Sequence, residues 1–382
     1  MIKIGFTGDF CPWLRVENQF KNTTWKPLFE SVLPFFEQND LNVLDLECPL
    51  TTSNAKIKKT GPHIKAHPDT ATILNHLHCE LVATANNHFK DYGGEGMQET
   101  YKALENHNIT WLGSGENLNE ASKIFYWEKE ATKIAFINIA ENEWTTTFGK
   151  EPGCHPIDLA NVFHQIQEAK NKADFIVILA HGGHEHYELP SPRMKKWYRF
   201  FVDAGANAVI GHHTHIISGY EVYKEAPIFY SLGNFCFDWE GMRNLPWNKG
   251  MLVRLGFEKS KPVTFEMEFV SQNTDEVGLK LFSDEDPPAS EASKKTMQLH
   301  LEKLNKIIAD DDTLQSEFDN YVLSWKPVMN TWIQPYKGIM ASLYKRGLLP
   351  SIITKKKKLL YTNLIRCEAH RDILINSINP NK

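Results

Sequence analysis

Short apolar runs alternate with stretches whose apolar residues recur every three or four positions, from the N-terminus to about residue 235. The runs IKIGFTG (2–8), NVLDLE (42–47), CELVATA (79–85), KIAFINIA (133–140), DFIVILA (174–180), NAVIG (207–211) and PIFYSLG (227–233) predict strands. The segments near 25–38, 69–78, 95–107, 157–172 and 191–204 predict helices. Continuous apolar strands of this length suit sheets buried on both faces, and the alternation with helices predicts an α/β fold. GMLVRLGF (250–257) and PVTFEMEFV (262–270) add two further strands.

The pattern changes near residue 283, where SDEDPPASEASKK is polar and carries two prolines, the composition of a linker. Beyond it, Met297, Leu301, Leu304 and Ile308 share one helical face, and Leu314, Phe318 and Tyr321 continue in a second helix. That helix is expected to stop before Pro327, because proline supplies no backbone N–H. A last helix is expected through KKKKLLYTNLIRCEAHRDILI (355–375). The organisation predicted is an α/β domain over 1–282, a linker over 283–293 and a mostly helical C-terminal region over 294–382.

Composition adds limits. Of 382 residues 42% are apolar, enough for a sizeable core, and a net charge of -5 gives no reason to expect nucleic acid as a partner. No basic leader precedes the first strand, and no apolar run reaches the roughly 18 residues of a spanning helix, so neither a signal peptide nor a membrane span is expected. Six scattered cysteines without a CxxC pair suit a reduced, cytoplasmic setting.

The polar residues are not scattered. The first strand ends at Asp9 and the second at Glu47, and the third leads into Asn86, Asn87, His88 and Asp91. A later strand ends at His181, His184, Glu185 and His186, and another at IGHHTH, with His212, His213 and His215. Carboxyl-terminal strand ends of an α/β sheet converge on one crevice, so these groups are aimed at one place. Carboxylate and imidazole without a thiolate cage suit a pair of Zn, Mn or Fe ions. Such ions sit about 3.5–4 Å apart and stabilise the attacking and leaving oxygens of a displacement. Glu47 is the candidate bridge, His213 and His215 are candidate ligands, and His212 points away or holds another group. Asn234 in YSLGNF either binds substrate or caps the turn, and His184 and Glu185 are candidates for substrate contact.

GDF near the start, LECPLT (46–51), ANNHFKDYGGEGMQET (85–100), HGGHEHYELPSP (181–192) and AGANAVIGHHTHIISGYEVY…IFYSLGNF (204–235) together resemble the capsule-synthesis CapA, or PGA_cap, family. That family is similar to the calcineurin-like metallophosphoesterases, so the resemblance implies a four-layer α/β/β/α sandwich. It also implies Asp9 as the first aspartate ligand, Glu47 as the bridge, Asn87 with His88 as the Asn-His pair, His181 as the isolated histidine, and His213 with His215 as the last pair. His88 is then general acid or charge stabiliser, with Asp91 as its orienting partner. Two positions depart from the pattern: the first motif reads Asp9-Phe10-Cys11 with no histidine, and the bridge is Glu rather than Asp. Cys11 either substitutes for that histidine as a thiolate or, the reading favoured, is a buried inert thiol.

The function implied is metal-dependent hydrolysis of a phosphoester in the making of capsule, surface polysaccharide or poly-γ-glutamate. A ligase or transferase step and non-catalytic polymer binding are the alternatives. No GxxxxGK[ST] loop offers an ATP site for the ligase. The expected partner is an anionic polymer, a phosphoester or a polysaccharide precursor. Membrane-anchored relatives contrast with the anchor-free sequence read here, which favours an intracellular role. Lys355–Lys358 either touches an anionic membrane surface weakly or is simply solvated. Arg193, Lys195 and Lys196 read by default as a solvated helix face, the loop at Pro62 and His63 as a candidate overhang of the site, and Cys367, Glu368 and His370 as packing and surface.

Overall fold

The apolar runs pair into two stacked sheets in the computed structural model, which describes residues 1–283, 293–333, 339 and 354–378. The strands are β1 (Ile2–Cys11), β2 (Leu41–Leu46), β3 (Leu81–Ala83), β4 (Thr110–Leu112), β5 (Ser114–Gly115), β6 (Phe125–Lys129), β7 (Thr132–Ala140) and β8 (Gly153–Cys154). They continue as β9 (Phe175–His181), β10 (Ala208–His212), β11 (Tyr220–Tyr223), β12 (Ala226–Phe229), β13 (Asn234–Phe237), β14 (Lys249–Phe257), β15 (Thr264–Gln272) and β16 (Leu279–Leu281). The first sheet has the order β16-β15-β14-β1-β2-β3-β4 with β13 also on β1, and the second has the order β11-β12-β10-β9-β7-β6. The pairs β1·β2, β2·β3, β3·β4, β7·β9 and β9·β10 are parallel; antiparallel strands close both edges of the second sheet and the β16 edge of the first, whose other edge is the parallel strand β4.

Alternation along each strand decides the layers. Ile4, Phe6, Val43 and Leu255 of the first sheet join one core with Ile134, Phe136, Val177 and Ile210 of the second. Phe6 and Phe136 meet across the gap, ring centroids 6.5 Å apart. On the opposite face of the first sheet Leu44, Leu46 and Val82 lie under Ile73 and Leu74 of the helix Ala71–His76 and Met97 and Leu104 of the helix Gly93–Asn106. The second sheet is covered by Val162 and Ile166 of Leu159–Lys170 and by Tyr198 and Phe201 of Pro192–Ala204. Helix, sheet, sheet, helix: the chain adopts the α/β/β/α sandwich.

Several elements differ from expectation. The helix near 25–38 is broken into turns at Lys26–Leu28 and Glu30–Val32 and one short helix, Leu33–Phe36, because Pro27 and Pro34 each remove a donor. The run 227–233 is not one strand: β12 stays in the second sheet, the chain turns at Gly233 (φ 68°), and β13 pairs with β1 of the first. The helix Asp311–Ile333 passes through Pro327 rather than stopping before it. Burial of Leu314, Phe318 and Val322 offsets the one lost backbone bond. The last helix is two, Lys355–Arg366 and Glu368–Ile378, separated where Cys367 is extended (ψ 121°). The helix Arg15–Lys21 and seven short strands (β4, β5, β6, β8, β11, β13, β16) escaped the sequence reading, being too short to show a period. Most of the expected linker, 284–292, lies outside the described residues. The helix Lys294–Ala309 packs Met297, Leu301, Leu304 and Ile308 into the same core as the two sheets.

Gly8 marks the tightest crossing. A Cβ there would lie 1.8 Å from the Gly233 carbonyl oxygen, beside the 3.0 Å hydrogen bond that Asp9 N–H donates to that same oxygen. Gly8→Ala is expected to cost about 3 kcal/mol through forced backbone displacement, read as a lowered urea midpoint at unchanged slope.

Candidate metal centre

Strand register brings the carboxylates and imidazoles together. On the parallel pair β1·β2 Asp9 lies opposite Asp45, on β1·β13 Asp9 lies opposite Asn234, and on β9·β10 His181 lies opposite His212. Three groups result, each with donor atoms within 4.8 Å of one another: Glu47, His181 and His213; Asp9, Glu47 and His215; and Asp9, Asp45 and His181. Every member is buried. Glu47 Oε1 stands 3.7 Å from His181 Nε2 and 3.6 Å from His215 Nε2, so one carboxylate serves two groups. Asp9 Oδ2 lies 3.3 Å from His215 Nδ1, and Asp45 Oδ2 3.2 Å from His181 Nδ1. His213 Nδ1 is 3.2 Å from His181 Nε2, and Asn87 Oδ1 is 3.1 Å from the same atom. His213 and His215 both take positive φ (92° and 60°), the backbone adjustment that lets residues two apart share one crevice.

The donor set fits a cation. Both carboxylate oxygens of Glu47 and both of Asp45 are buried without a hydrogen-bond partner, which is costly unless a positive charge meets them. Burial pushes the Glu47 carboxyl well above the carboxylate range, with the Asp9 charge adding to it, and burial does the same to Asp45. Burial would also raise Asp9, but the hydrogen bond to His215 and the surrounding imidazoles outweigh it and hold the group at about 2. Burial drives His181 and His213 well below the usual imidazole value, keeping both in the neutral form that ligates metal. These buried clusters can hold a metal ion.

His88 lies beside this cluster. Its Nδ1 is 2.7 Å from Asp91 Oδ2, and Asp91 also accepts the Ile64 N–H at 2.9 Å. A third partner carries no signal in the sequence: Lys59 reaches in from the 52–64 loop, its Nζ paired with Asp91 and 3.1 Å from His88 Nδ1. The loop therefore meets the site through Lys59, while His63 bonds the Ile57 carbonyl at 2.8 Å.

Other expected residues fall in distinct places. Asn234 is fully engaged in holding His215: its Oδ1 meets His215 Nδ1 at 3.0 Å, and its Nδ2 donates to the His215 and Trp247 carbonyls. His212 turns away, Nε2 3.0 Å from the Thr7 carbonyl. Cys11 is buried, its thiol pushed up by burial and by Cys48, and it belongs to none of the candidate groups. His184 packs edge-on to Phe318 and Tyr321 of the helix Asp311–Ile333. Glu185 is exposed at the rim.

Arg193 and Lys195 are not a solvated face. Arg193 pairs with Glu141 at 2.7 Å and with Asp372, and Lys195 pairs with Asp311 at 2.5 Å, fastening the C-terminal helices to the sandwich. Glu368 accepts the Asn142 N–H and side-chain amide at 3.1 and 2.8 Å. Asp45 and Glu143 were also overlooked. Glu143 stands 3.8 Å from His213 Nε2, and burial lifts its carboxyl to about 8. Asp45 carries a legible signal, since it shares the inner face of β2 with Val43 at period two.

Residues 3–239 match the model of the bacterial capsule synthesis protein family PGA_cap, well over half of the chain. The chain belongs to this family. Among its PGA_cap relatives, PGA biosynthesis protein CapA of Bacillus subtilis (strain 168) is 30% identical over 277 residues, 70% of each protein. Capsule biosynthesis protein CapA of Bacillus anthracis is 30% identical over 220 residues, 55% of this chain and 54% of that one. A solved structure of a hypothetical protein from Thermus thermophilus superposes with a TM-score of 0.45 at 14% identity, covering 70% of this chain and 98% of that one. Among the described residues of this PGA_cap chain no helix is long and apolar enough to cross a membrane.

Proposed function

We propose that this PGA_cap protein is a metal-dependent hydrolase that opens a phosphoester during synthesis of capsule or of a poly-γ-glutamate-type polymer. The carrying observation is Glu47: completely buried, both oxygens unpartnered, and shared by two groups of ligand atoms. Asp9, Glu47, Asn87, His181, His213 and His215 would hold two divalent ions, with Asp45 an added donor. Bound ions of this kind supply Lewis acidity and a nucleophile at neutral pH. Asn234 and Trp247 orient the His215 ring, the latter with its ring centroid 4.4 Å away. Asp91 engages His88 at Nδ1, which leaves Nε2 as the atom that exchanges a proton with substrate. Lys59 places a positive charge beside that imidazole, suited to an anionic phosphoester or polymer. The names of the Bacillus relatives support the polymer setting.

The test pairs metal content with turnover. Full-length protein purified without chelator or nickel is expected to carry about two equivalents of Mn, Fe or Zn by plasma mass spectrometry and to hydrolyse bis(p-nitrophenyl) phosphate. Asp9→Asn is expected to lose both metal and turnover. His88→Ala keeps the metal but slows hydrolysis about a hundredfold. A chain that stays metal-free after reconstitution, or a His88→Ala variant at full rate, overturns the reading.

A further inference from the structure

The C-terminal helices do more than pack: they wall a cavity of about 110 Å³ that opens beside His213. One side of it comes from the loop after β9, with His184 and Glu185, and the other from Tyr321, Trp325 and His370 of the two helices Asp311–Ile333 and Glu368–Ile378. Its volume is about that of four liquid waters, room for one small functional group rather than a length of polymer.

The lining has a definite charge character. Among the described residues, Glu185 is the only carboxylate on the wall, and neither lysine nor arginine lines it. The rest is largely aromatic and imidazole. His184 is 4% exposed, its ring packed edge-on against Phe318 and Tyr321. Tyr321 is held in place by stacking on Tyr187, ring centroids 4.2 Å apart. A carboxylate beside aromatic rings repels phosphate and carboxylate groups and attracts a cation that can also donate hydrogen bonds. The neighbouring His88 side of the site has the opposite character, with Lys59 facing it.

We propose that this cavity is a subsite for a primary ammonium group, with Glu185 as counter-charge and Tyr321 and Trp325 as the aromatic wall. The substrate then carries a free amino group a short reach from the bond held at the metal cluster, and the C-terminal helices are part of the recognition machinery. This rests on reading the cluster as the reaction centre.

The experiment is a ligand-observed NMR titration of the full-length, metal-loaded protein with three probes of matched size: propylammonium, propanol and propionate. Propylammonium is expected to bind at least tenfold more tightly than its neutral counterpart propanol. Glu185→Gln is expected to remove that preference, and Tyr321→Leu to weaken propylammonium binding severalfold, both at unchanged metal content and melting temperature. Trp325→Leu serves as the second aromatic variant should Tyr321→Leu fail to fold. Propanol binding as tight as propylammonium, no binding of propylammonium, or a preference that survives Glu185→Gln overturns the subsite; propionate, which the metal cluster itself can bind, reports on that cluster. Because no turnover is read, ammonium selectivity in a protein that hydrolyses no phosphoester would count against the hydrolase reading and leave the subsite standing.

Discussion

Glu47→Gln is expected to abolish stoichiometric metal binding and, in the metal-free chain, to raise stability. Both effects come from the same carboxylate. With metal bound, Glu47 is the shared donor between two ligand groups, and an amide oxygen carries no net charge to offset two cations. Without metal, its two oxygens are buried and unpartnered, near Asp9 and Asp45, whose charges also raise its pKa. Burial holds the folded carboxyl well above its ordinary value of 4.5. The folded metal-free chain therefore binds a proton that the unfolded chain releases, and stability falls as pH rises from about 4.5 towards the folded value. Glutamine removes that slope and should stabilise the metal-free protein at neutral pH by about 2 kcal/mol. Chemical denaturation across pH, with and without chelator, checks this. Equal or lower stability of the metal-free variant at neutral pH would mean that the cluster is not electrostatically strained.

Arg193→Ala is expected to produce the largest loss of stability. The guanidinium lies between Glu141 of the sandwich and Asp372 of the last described helix, and its cation also sits 4.3 Å over the Trp197 ring. Removing it leaves two acidic groups facing each other at the seam between the sandwich and the C-terminal helices. Breaking a buried pair from one side costs about 3–5 kcal/mol. The loss should appear as a lower urea midpoint and as earlier proteolytic release of the C-terminal helices. A triple variant, Arg193→Met with Glu141→Gln and Asp372→Asn, leaves no unpaired charge and is expected to recover most of it. A single alanine variant within about 0.5 kcal/mol of the parent would show that the helices are held by apolar packing alone.

Local chemistry explains what could be read without coordinates. The long strands of both sheets announce themselves as apolar runs because both their faces are buried, and the helices between them keep a period of three to four. The site was legible for a related reason: Asp9, Glu47, His88, His181, His213 and His215 all follow apolar strands directly, where polar side chains have little use except toward a ligand.

What remained hidden depends on contacts distant in sequence. Nothing distinguishes Lys59 from Lys56, Lys58 or Lys65 until the loop folds back on Asp91. Arg193 and Lys195 look like a wet helix face until Asp372 and Asp311 arrive from more than a hundred residues away. The break between β12 and β13 is set by a turn at Gly233 that moves the chain from one sheet to the other. Periodicity reports which face of an element is buried, but not what buries it. The sequence by itself therefore determined the α/β alternation and the strand ends that carry the candidate ligands, and its family resemblance implied the sandwich, whereas only the tertiary structure decided that the C-terminal helices close over one side of the site.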